Sequence, residues 1–313
     1  MREFTIGKNE SGQRFDKYLF KLLKNAEHGL LFKQLRNKNI VLNGNKAKGN
    51  EILRENDVVR VFMSEDTINK FIGTVEQTNI NDELVLDVVY EDEDVILADK
   101  PAGVLSQKAD NNDVSMNEYL ISYLCNNGLS KESLLTFKPA FCNRLDRNTS
   151  GMMVGGKSLK GLQVMSRIIK DRSIGKYYLA IVKGRVVKGD SIHGYLVKDE
   201  KTNTVTIHGN PSEGAEEIHT NYEPVEIKDN MTLLRVRLIT GKTHQIRAHL
   251  ASIGHPILGD PKYGDMEFNR MNKARRQMLH SYEVVFPKLD EIESISGKSF
   301  KTEFPKDFKK YFG

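Results

Sequence analysis

The segment from Asn143 to Gly151, NRLDRNTSG, places one carboxylate between two guanidinium groups in a run of small, turn-forming residues. Nearby cations favour the charged form of a carboxyl group, so we expect Asp146, between Arg144 and Arg147, to be ionised. An ionised, fixed carboxylate can act as a nucleophile or as a general base. The alternative is an ordinary Asx turn or helix cap with surface arginines, because all the small polar residues here favour turns.

Three later segments contain further groups that could take part in chemistry. The first is a strand-like run, Lys176 to Gly184, which contains Tyr177 and Tyr178. The second is LITGKTHQIRAH, from Leu238 to His249, and the third is GHPILGDPKYG, from Gly254 to Gly264. No segment follows the GxxxxGK[ST] pattern of a phosphate-binding loop, so we expect no nucleotide cofactor.

Histidines and cysteines do not predict a metal site. The spacing of His244, His249 and His255 does not match a His-x-x-x-His helix pair, and no acidic ligand stands in register with them. Cys125 and Cys142 form neither a C-x-x-C pair nor a disulfide framework. A reducing compartment is therefore the simplest context for this chain.

Composition favours a globular protein of two domains, since the chain has 313 residues, of which 39% are hydrophobic and 28% charged. The first residues do not form a basic stretch followed by an apolar one, so no secretory signal is expected. No apolar run approaches the roughly 18 residues that cross a bilayer. We therefore expect a cytoplasmic protein without a membrane partner. The sequence gives no sign of its oligomeric state.

Charge is unevenly distributed along the chain. Residues 11–62 contain eleven Lys and Arg against five Asp and Glu, whereas residues 63–99 contain one lysine against eleven acids. A basic module before an acidic stretch predicts that the first element binds a polyanion such as RNA. A solvated lysine-rich surface is the alternative interpretation.

Apolar spacing predicts two helices in the basic module, one from Phe15 to Leu23 and one around Leu31 and Leu35. A strand at 40–42 then leads into the hairpin signal Asn43-Gly44, and a second strand follows at 57–62. This order, with GQRFDKYL at 12–19, RNKNIVLNG at 36–44 and ENDVV at 55–59, resembles the S4 RNA-binding domain. The resemblance implies phosphate contacts by Arg14, Lys33, Arg36 and Lys38.

The remaining sequence predicts a larger α+β domain with a mixed, mostly antiparallel sheet flanked by helices. Strands are expected at 84–90, 94–99, 177–182 and 233–238, and helices at 115–127 and 158–171. Thr243 is expected to cap a short helix that runs through Leu250 and Ala251. The predicted division is an S4-like domain at 1–64, an acidic linker at 65–83 and a catalytic domain at 84–313.

Taken in order, the RLDRNTSG turn, the KYYLA strand and the TGKTHQIRAH segment resemble the RluA family of pseudouridine synthases. The resemblance covers nearly the whole chain, with the S4-like unit in front as in the branch that modifies large-subunit ribosomal RNA. Two positions depart from the family pattern: Asn143 is often His, and Lys242 is often Arg, whose bidentate fork a lysine lacks.

This resemblance implies isomerisation of uridine to pseudouridine without a cofactor. Asp146 would attack the nucleoside covalently or remove a ribose proton, and the residues leave both routes open. Arg247 is the family position that pairs with this aspartate. Tyr178 would stack on the uracil, and its hydroxyl would assist proton removal at C5. Tyr177 is expected to pack in the core, because adjacent strand residues face opposite ways.

The target base must leave its stack to reach the aspartate. Contacts with cations can offset the free-energy cost of this unstacking. The implied substrate-binding residues are Arg144, Arg147, Leu238, Lys242 and His244. Arg147 would hold the phosphate of the flipped nucleotide or its vacated position, and Leu238 would line the base pocket or pack in the core. A basic cluster, Arg270, Lys273, Arg275 and Arg276, is either an RNA-backbone contact or a solvated charge run.

Two other functional classes remain open at this stage. A non-catalytic RNA-binding or ribosome-assembly protein could keep the fold without the reaction. An enzyme acting on a nucleotide sugar or free nucleoside would not need the basic N-terminal module.

Overall fold

The computed structural model describes residues 1–72, 84–110 and 112–313. They form two compact units. The first comprises Met1–Val85, Glu118–Ala140 and Ser158–Lys160, and the second comprises Leu86–Asn117, Phe141–Lys157 and Gly161–Gly313. The domain boundaries at 64 and 84 stay a prediction, and most of the predicted linker, residues 73–83, lies outside the described residues.

The first unit contains a four-stranded antiparallel sheet in the order β1-β4-β2-β3. Its strands are β1 (Arg2–Thr5), β2 (Ile40–Leu42), β3 (Asn45–Lys46) and β4 (Val58–Val61). Its N-terminal helices are α1 (Phe15–Leu22), α2 (His28–Arg36) and α3 (Glu65–Ile72).

The predicted helices and turn of this unit are present for the reasons that the sequence suggests. Phe15, Leu19 and Leu22 lie on one face of α1, and all three are buried in the core. Asn43 and Gly44 both take left-handed backbone angles, with φ of 51° and 76°, and join β2 to β3 by a tight turn. Residues 65–72, predicted as the start of a linker, form helix α3, which buries two isoleucines in the same core.

The second unit is built on one eleven-stranded sheet in the order β11-β10-β12-β13-β9-β14-β8-β6-β5, with β15 paired to β14 and β7 to β8. Among the described pairs whose register is known, β14 and β8 are parallel and the others are antiparallel, which confirms the mostly antiparallel sheet. The first six strands are β5 (Asp87–Glu91), β6 (Val95–Lys100), β7 (Ala140–Phe141), β8 (Ser150–Gly156), β9 (Gly175–Lys183) and β10 (Asp190–Asp199). The last five are β11 (Thr204–His208), β12 (Glu216–Lys228), β13 (Met231–Leu238), β14 (Leu279–Val285) and β15 (Ser299–Lys301).

Four further helices follow in chain order: α4 (Met116–Asn126), α5 (Leu159–Lys170), α6 (Gln245–Ser252) and α7 (Met266–Met271). Helix α5 packs Val164, Met165 and Ile168 into a core cluster that contains Val95 and Leu97 of β6. Its apolar spacing predicted this face correctly. None of the helices in the described ranges is both long and apolar enough to cross a membrane.

Helix α6 corrects one prediction, because Thr243 does not cap it. The helix begins at Gln245, after His244 in a left-handed conformation with φ of 54° and without a side-chain cap. The Gln245 side-chain oxygen instead accepts hydrogen bonds from the Lys242 backbone N–H (3.1 Å) and the Thr240 hydroxyl (2.8 Å). The Gln245 side chain therefore fixes the loop before the helix, and the helix itself begins without a side-chain cap.

Candidate active site

Asp146 lies in the turn between β7 and β8. The Thr149 backbone N–H donates to the Asp146 carbonyl at 3.0 Å, which closes the turn. The buried Ser106 hydroxyl donates to the Leu145 carbonyl (2.8 Å) and accepts from the Leu145 N–H (2.9 Å). The backbone next to the aspartate is thus held from both sides.

Lys100 lies at the end of β6. It connects the Asp146 turn to the loop that follows Lys100 in the chain. Its ammonium is fully buried and donates to the carbonyls of Pro101 (2.9 Å), Val104 (2.6 Å) and Arg147 (3.0 Å). Burial lowers the pKa of Lys100 to about 8, and the Arg276 charge adds to the effect. Nothing in the sequence distinguished this lysine from a surface one.

Strand β8 anchors the other end of the Asp146 turn, which is the candidate catalytic turn. Gly151 has φ of +114°, and a Cβ added to it would lie 2.2 Å from the Ser281 carbonyl oxygen. Only glycine lets β8 approach β14 this closely. Before the turn, the Asn143 side chain donates to the Met152 carbonyl (3.2 Å) and accepts from the Val154 N–H (2.8 Å). Asn143, one of the departures from the family pattern, therefore fastens the turn to β8.

Arg247, on helix α6, is the cation that contacts the candidate catalytic carboxylate. Its Nη1 lies 2.7 Å from Asp146 Oδ2, while its Nε and Nη2 lie 2.7 and 2.9 Å from the two oxygens of Asp260. The side chains of Arg247 and Asp260 are 5% and 0% exposed, and that of Asp146 is 26% exposed. The guanidinium therefore joins a buried carboxylate to one that solvent can reach.

Charge stabilises this arrangement from both sides. Burial would lower the pKa of Arg247, but the hydrogen bond and charge of Asp260, together with Asp146, raise it above its ordinary value. Burial would raise the pKa of Asp260, but Arg247 and the backbone N–H groups of Lys262 and Tyr263 hold it below its usual range. Sequence reasoning missed Asp260, although the GDPKYG segment that contains it had been singled out.

The two arginines that flank the aspartate in sequence do not pair with it. Arg144 is exposed and forms no ion pair with Asp146 in the described structure. Arg147 Nε donates instead to the Gly103 carbonyl at 3.0 Å. The expected pairing of Asp146 with these two neighbours is therefore absent from the described structure. The reason is that consecutive residues of a tight turn point their side chains in different directions.

Tyr178 lies in the middle of strand β9 and is 6% exposed. Burial raises its pKa to about 12, the hydrogen bond with Ser281 opposes this, and the Asp146 charge adds to it. The phenol is therefore neutral at neutral pH. Tyr177 faces the other side of the sheet, where Arg235 lies 4.0 Å from its ring centroid. The prediction that Tyr177 packs in the core is wrong. The side chain is half-buried and lies beneath a guanidinium.

His244 and Tyr263 lie beside the same carboxylate. His244 Nε2 is 3.9 Å from Asp146 Oδ2, and its Nδ1 is 2.9 Å from the Tyr263 hydroxyl. Burial lowers the pKa of His244, although the Asp146 charge opposes this effect. The Tyr263 ring lies over Arg247, with the guanidinium carbon 5.2 Å from the ring centroid. Tyr263 is a second residue that sequence reasoning did not identify.

The other expected substrate-binding residues are placed differently. Lys242 forms an ion pair with Glu216 and lines a separate cavity of about 420 Å³. Leu238 is half-buried at the end of β13, opposite Thr220. Neither contact assigns these two residues to the site around Asp146, so their predicted roles stay predictions.

The basic residues expected to contact RNA lie in the first unit. Arg14 is paired with Asp16 at 2.6 Å, whereas Lys33, Arg36 and Lys38 are exposed at the end of α2 and in the turn that follows. Across residues 1–72, 84–110 and 112–313, no group of three His, Cys, Asp or Glu side chains is arranged to hold a metal ion.

Comparison with known proteins gives a consistent result. A family model described as RNA pseudouridylate synthase matches residues 94–252 of this chain. A protein of Mycoplasma genitalium named as an RNA pseudouridine synthase is 33% identical over 298 residues, which cover 92% of this chain and 90% of that protein. The ribosomal large subunit pseudouridine synthase C of Pasteurella multocida is 30% identical over 315 residues, covering 95% and 90% of the two chains.

A solved structure shows the same fold. Human RNA pseudouridylate synthase domain containing 4 superposes with a TM-score of 0.58 at 20% sequence identity, over 72% of this chain and 90% of that one. The matched family segment includes the Asp146 turn, the Tyr178 strand and the Arg247 helix. The chain therefore belongs to the RNA pseudouridylate synthase family.

Proposed function

We propose that this protein converts uridine to pseudouridine in large-subunit ribosomal RNA and that Asp146 is its essential carboxylate. The observation that carries the proposal is the 2.7 Å contact between Asp146 and the buried Arg247. The relative from Pasteurella multocida, similar over 95% of this chain, supports the choice of RNA.

In this reaction the bond between C1′ and N1 of the uridine breaks and a bond between C1′ and C5 forms. N1 gains a proton and C5 loses one. Asp146 either attacks C1′ or removes a ribose proton, and both routes need its ionised form. Arg247 contacts Oδ2, whereas Oδ1 accepts no hydrogen bond from the described part of the chain, so it is available to the substrate. The 26% exposure of the side chain lets a nucleotide reach it.

Aromatic groups around the carboxylate suit a flipped pyrimidine. Tyr178, His244 and Tyr263 present rings near Asp146, and base–aromatic stacking contributes about 1–3 kcal/mol per base. Because burial keeps the Tyr178 phenol neutral, its ring is an apolar surface for the uracil. Its hydroxyl serves the proton transfer at C5.

The first unit supplies RNA affinity in this proposal. Lys33, Arg36 and Lys38 are the exposed cations of its S4-like segment, while Arg14 contributes less because Asp16 already pairs with it. Contacts of this kind with phosphates are independent of sequence and weaken with salt. We place the reaction in the cytoplasm, which agrees with the lack of a disulfide at Cys125 and Cys142 in the described structure.

Asp146→Asn tests the proposal, with Asp290→Asn as the control because that aspartate is exposed and outside the site. The substrate is an unmodified large-subunit rRNA transcript labelled with tritium at uridine C5. We expect Asp146→Asn to release no tritium yet bind the transcript with nearly unchanged affinity, while the control behaves as wild type. Normal tritium release by Asp146→Asn would refute the assignment. Restoration of ribosome assembly by that variant would favour the non-catalytic alternative.

A further inference from the structure

A cavity of about 600 Å³ opens in the second unit beside the catalytic turn. One wall contains Ala102 and Gly103, from the loop that Lys100 holds, and Asn148, which follows Asp146 by two positions. The volume lies within the roughly 300–1,000 Å³ of small-molecule sites. The other lining residues include Lys273, Arg275, Arg276, Met278, Lys310 and Tyr311.

The lining of this cavity is strongly basic. Four of its side chains are cations, and the single carboxylate among its lining residues, Asp307, is already bound by Arg276 at 2.6 Å. Lys273 and Arg275 are exposed, and neither has an acidic partner within the described ranges. Two cations are therefore available to an anion that enters the cavity.

Arg276 has a different role from these two. Its Nη1 donates to the Asn148 carbonyl (3.3 Å) and its Nη2 donates to the Ser150 hydroxyl (3.2 Å). It thus ties the cavity wall to the strand end that follows the catalytic turn. Its guanidinium is occupied within the fold, so it is not expected to bind phosphate.

The inner surface of the cavity is apolar. Met278 and Tyr311 are 4% and 6% exposed. The Tyr311 hydroxyl donates to the Asn272 carbonyl at 3.1 Å, which fixes the ring in place. An apolar surface with a fixed aromatic ring, rimmed by unpaired cations, matches the two parts of a nucleotide: a flat base and an anionic phosphate.

We propose that this cavity binds a nucleotide next to the target uridine, with its base against Met278 and Tyr311 and its phosphate held by Lys273 and Arg275. The inference rests on the proposed RNA substrate. Its position supports it, because Asn148 belongs to the same hydrogen-bonded turn as Asp146, whose carbonyl accepts from Thr149 at 3.0 Å. In this proposal, the strand that delivers a base to Asp146 also runs past the cavity. The cavity would help to select the target by holding its neighbour.

The double variant Lys273→Gln/Arg275→Gln tests the phosphate half of this proposal. Lys188→Gln/Lys298→Gln is the matched control, because it removes two exposed positive charges from the same unit. The probe is the tritium-labelled large-subunit rRNA transcript. We expect KM to rise about tenfold in the double variant, with kcat within twofold of wild type. We also expect the slope of log affinity against log salt to fall by about 0.7, the contribution of the one single-strand phosphate that the two cations hold.

Abasic nucleotides placed one at a time around the target test the base half. At one flanking position the abasic substitution should raise the wild-type KM about tenfold, which is within the range of one lost stacking contact. Equal KM and salt slope in the double variant and the control would overturn the proposal, as would a flat abasic scan. These outcomes are distinct from failure of the proposed function, in which wild type itself would release no tritium.

Discussion

Arg247 holds Asp146 and Asp260 at once, with its Nη1 2.7 Å from the first carboxylate and its Nε and Nη2 2.7 and 2.9 Å from the second. Burying a charge is unfavourable unless it is paired and hydrogen-bonded. The fully buried Asp260 neutralises the guanidinium and fixes its plane. The remaining nitrogen can then position the one carboxylate that substrate reaches.

Asp260→Asn should lower kcat about 100-fold, because a guanidinium that loses its buried anchor no longer places Asp146 correctly. The same change should reduce the free energy of unfolding by about 3–5 kcal/mol, since it leaves a buried charge without its partner. Steady-state tritium release and urea unfolding measure the two effects. Asp265→Asn is the control: it loses an ion pair with Lys183, while asparagine can still cap α7, and it should leave kcat unchanged. An unchanged kcat in Asp260→Asn would contradict the anchoring role.

Tyr178→Phe should lower kcat by about 100-fold or more, the usual contribution of a group that takes part in proton transfer. KM should change little, because the variant keeps the ring that we propose to pack on the uracil. The matched control is Tyr177→Phe, which removes a hydroxyl from the opposite face of the same strand and should leave kcat unchanged. Wild-type kcat in Tyr178→Phe would limit this residue to packing.

Reversal of three charges, Lys33→Glu, Arg36→Glu and Lys38→Glu, should weaken binding of the rRNA transcript and flatten its salt dependence. All three residues are exposed, so the fold of the first unit should survive. Filter binding between low and moderate salt gives the slope. Reversal of Lys188, Lys201 and Lys298, exposed in the second unit, controls for net charge. A slope identical to that of wild type would remove the first unit from the RNA interface.

His280 should make the protein sensitive to acid. Burial, with the Arg276 charge, lowers its pKa from 6.5 to about 3, while its ring nitrogens contact Ser150 (2.8 Å) and Thr302 (2.6 Å). Between these two pH values the unfolded chain binds a proton that the folded chain does not. The free energy of unfolding therefore falls as pH falls from 6.5 towards 3. The slope of this dependence corresponds to a difference of up to about one bound proton between the unfolded and folded chains.

In the His280→Gln variant, the free energy of unfolding should depend less steeply on pH, by the contribution of this one proton. Urea unfolding followed by tyrosine fluorescence, at several pH values between 7 and 4, compares the two proteins, since the chain contains no tryptophan. Above pH 6.5 the difference between the two stabilities should be constant. Parallel pH dependences throughout the acid range would show that His280 does not titrate on unfolding.

Several features could be predicted from the sequence because they depend on neighbouring residues. The apolar spacing of Phe15, Leu19 and Leu22 predicted α1, and Asn43-Gly44 predicted its hairpin turn. Thr243 shows the limit of such reasoning, since its residue type favoured a cap, but the helix begins after His244 without a side-chain cap. Tyr177 shows the same limit: alternation correctly put it opposite Tyr178, but it could not indicate which face of the sheet was covered.

The order and spacing of the motifs, by themselves, determined the family and pointed to Asp146 as the carboxylate. The resemblance implied that Arg247, 101 positions away, pairs with this carboxylate, whereas the residue types alone favoured the adjacent Arg144 and Arg147. The tertiary structure decided for Arg247. It also decided that Lys100 and Asp260 are buried and shape the site. The physical reason is that ion pairing and desolvation depend on distance in space and on what excludes water, and both are set only when β8, β14 and α6 come together.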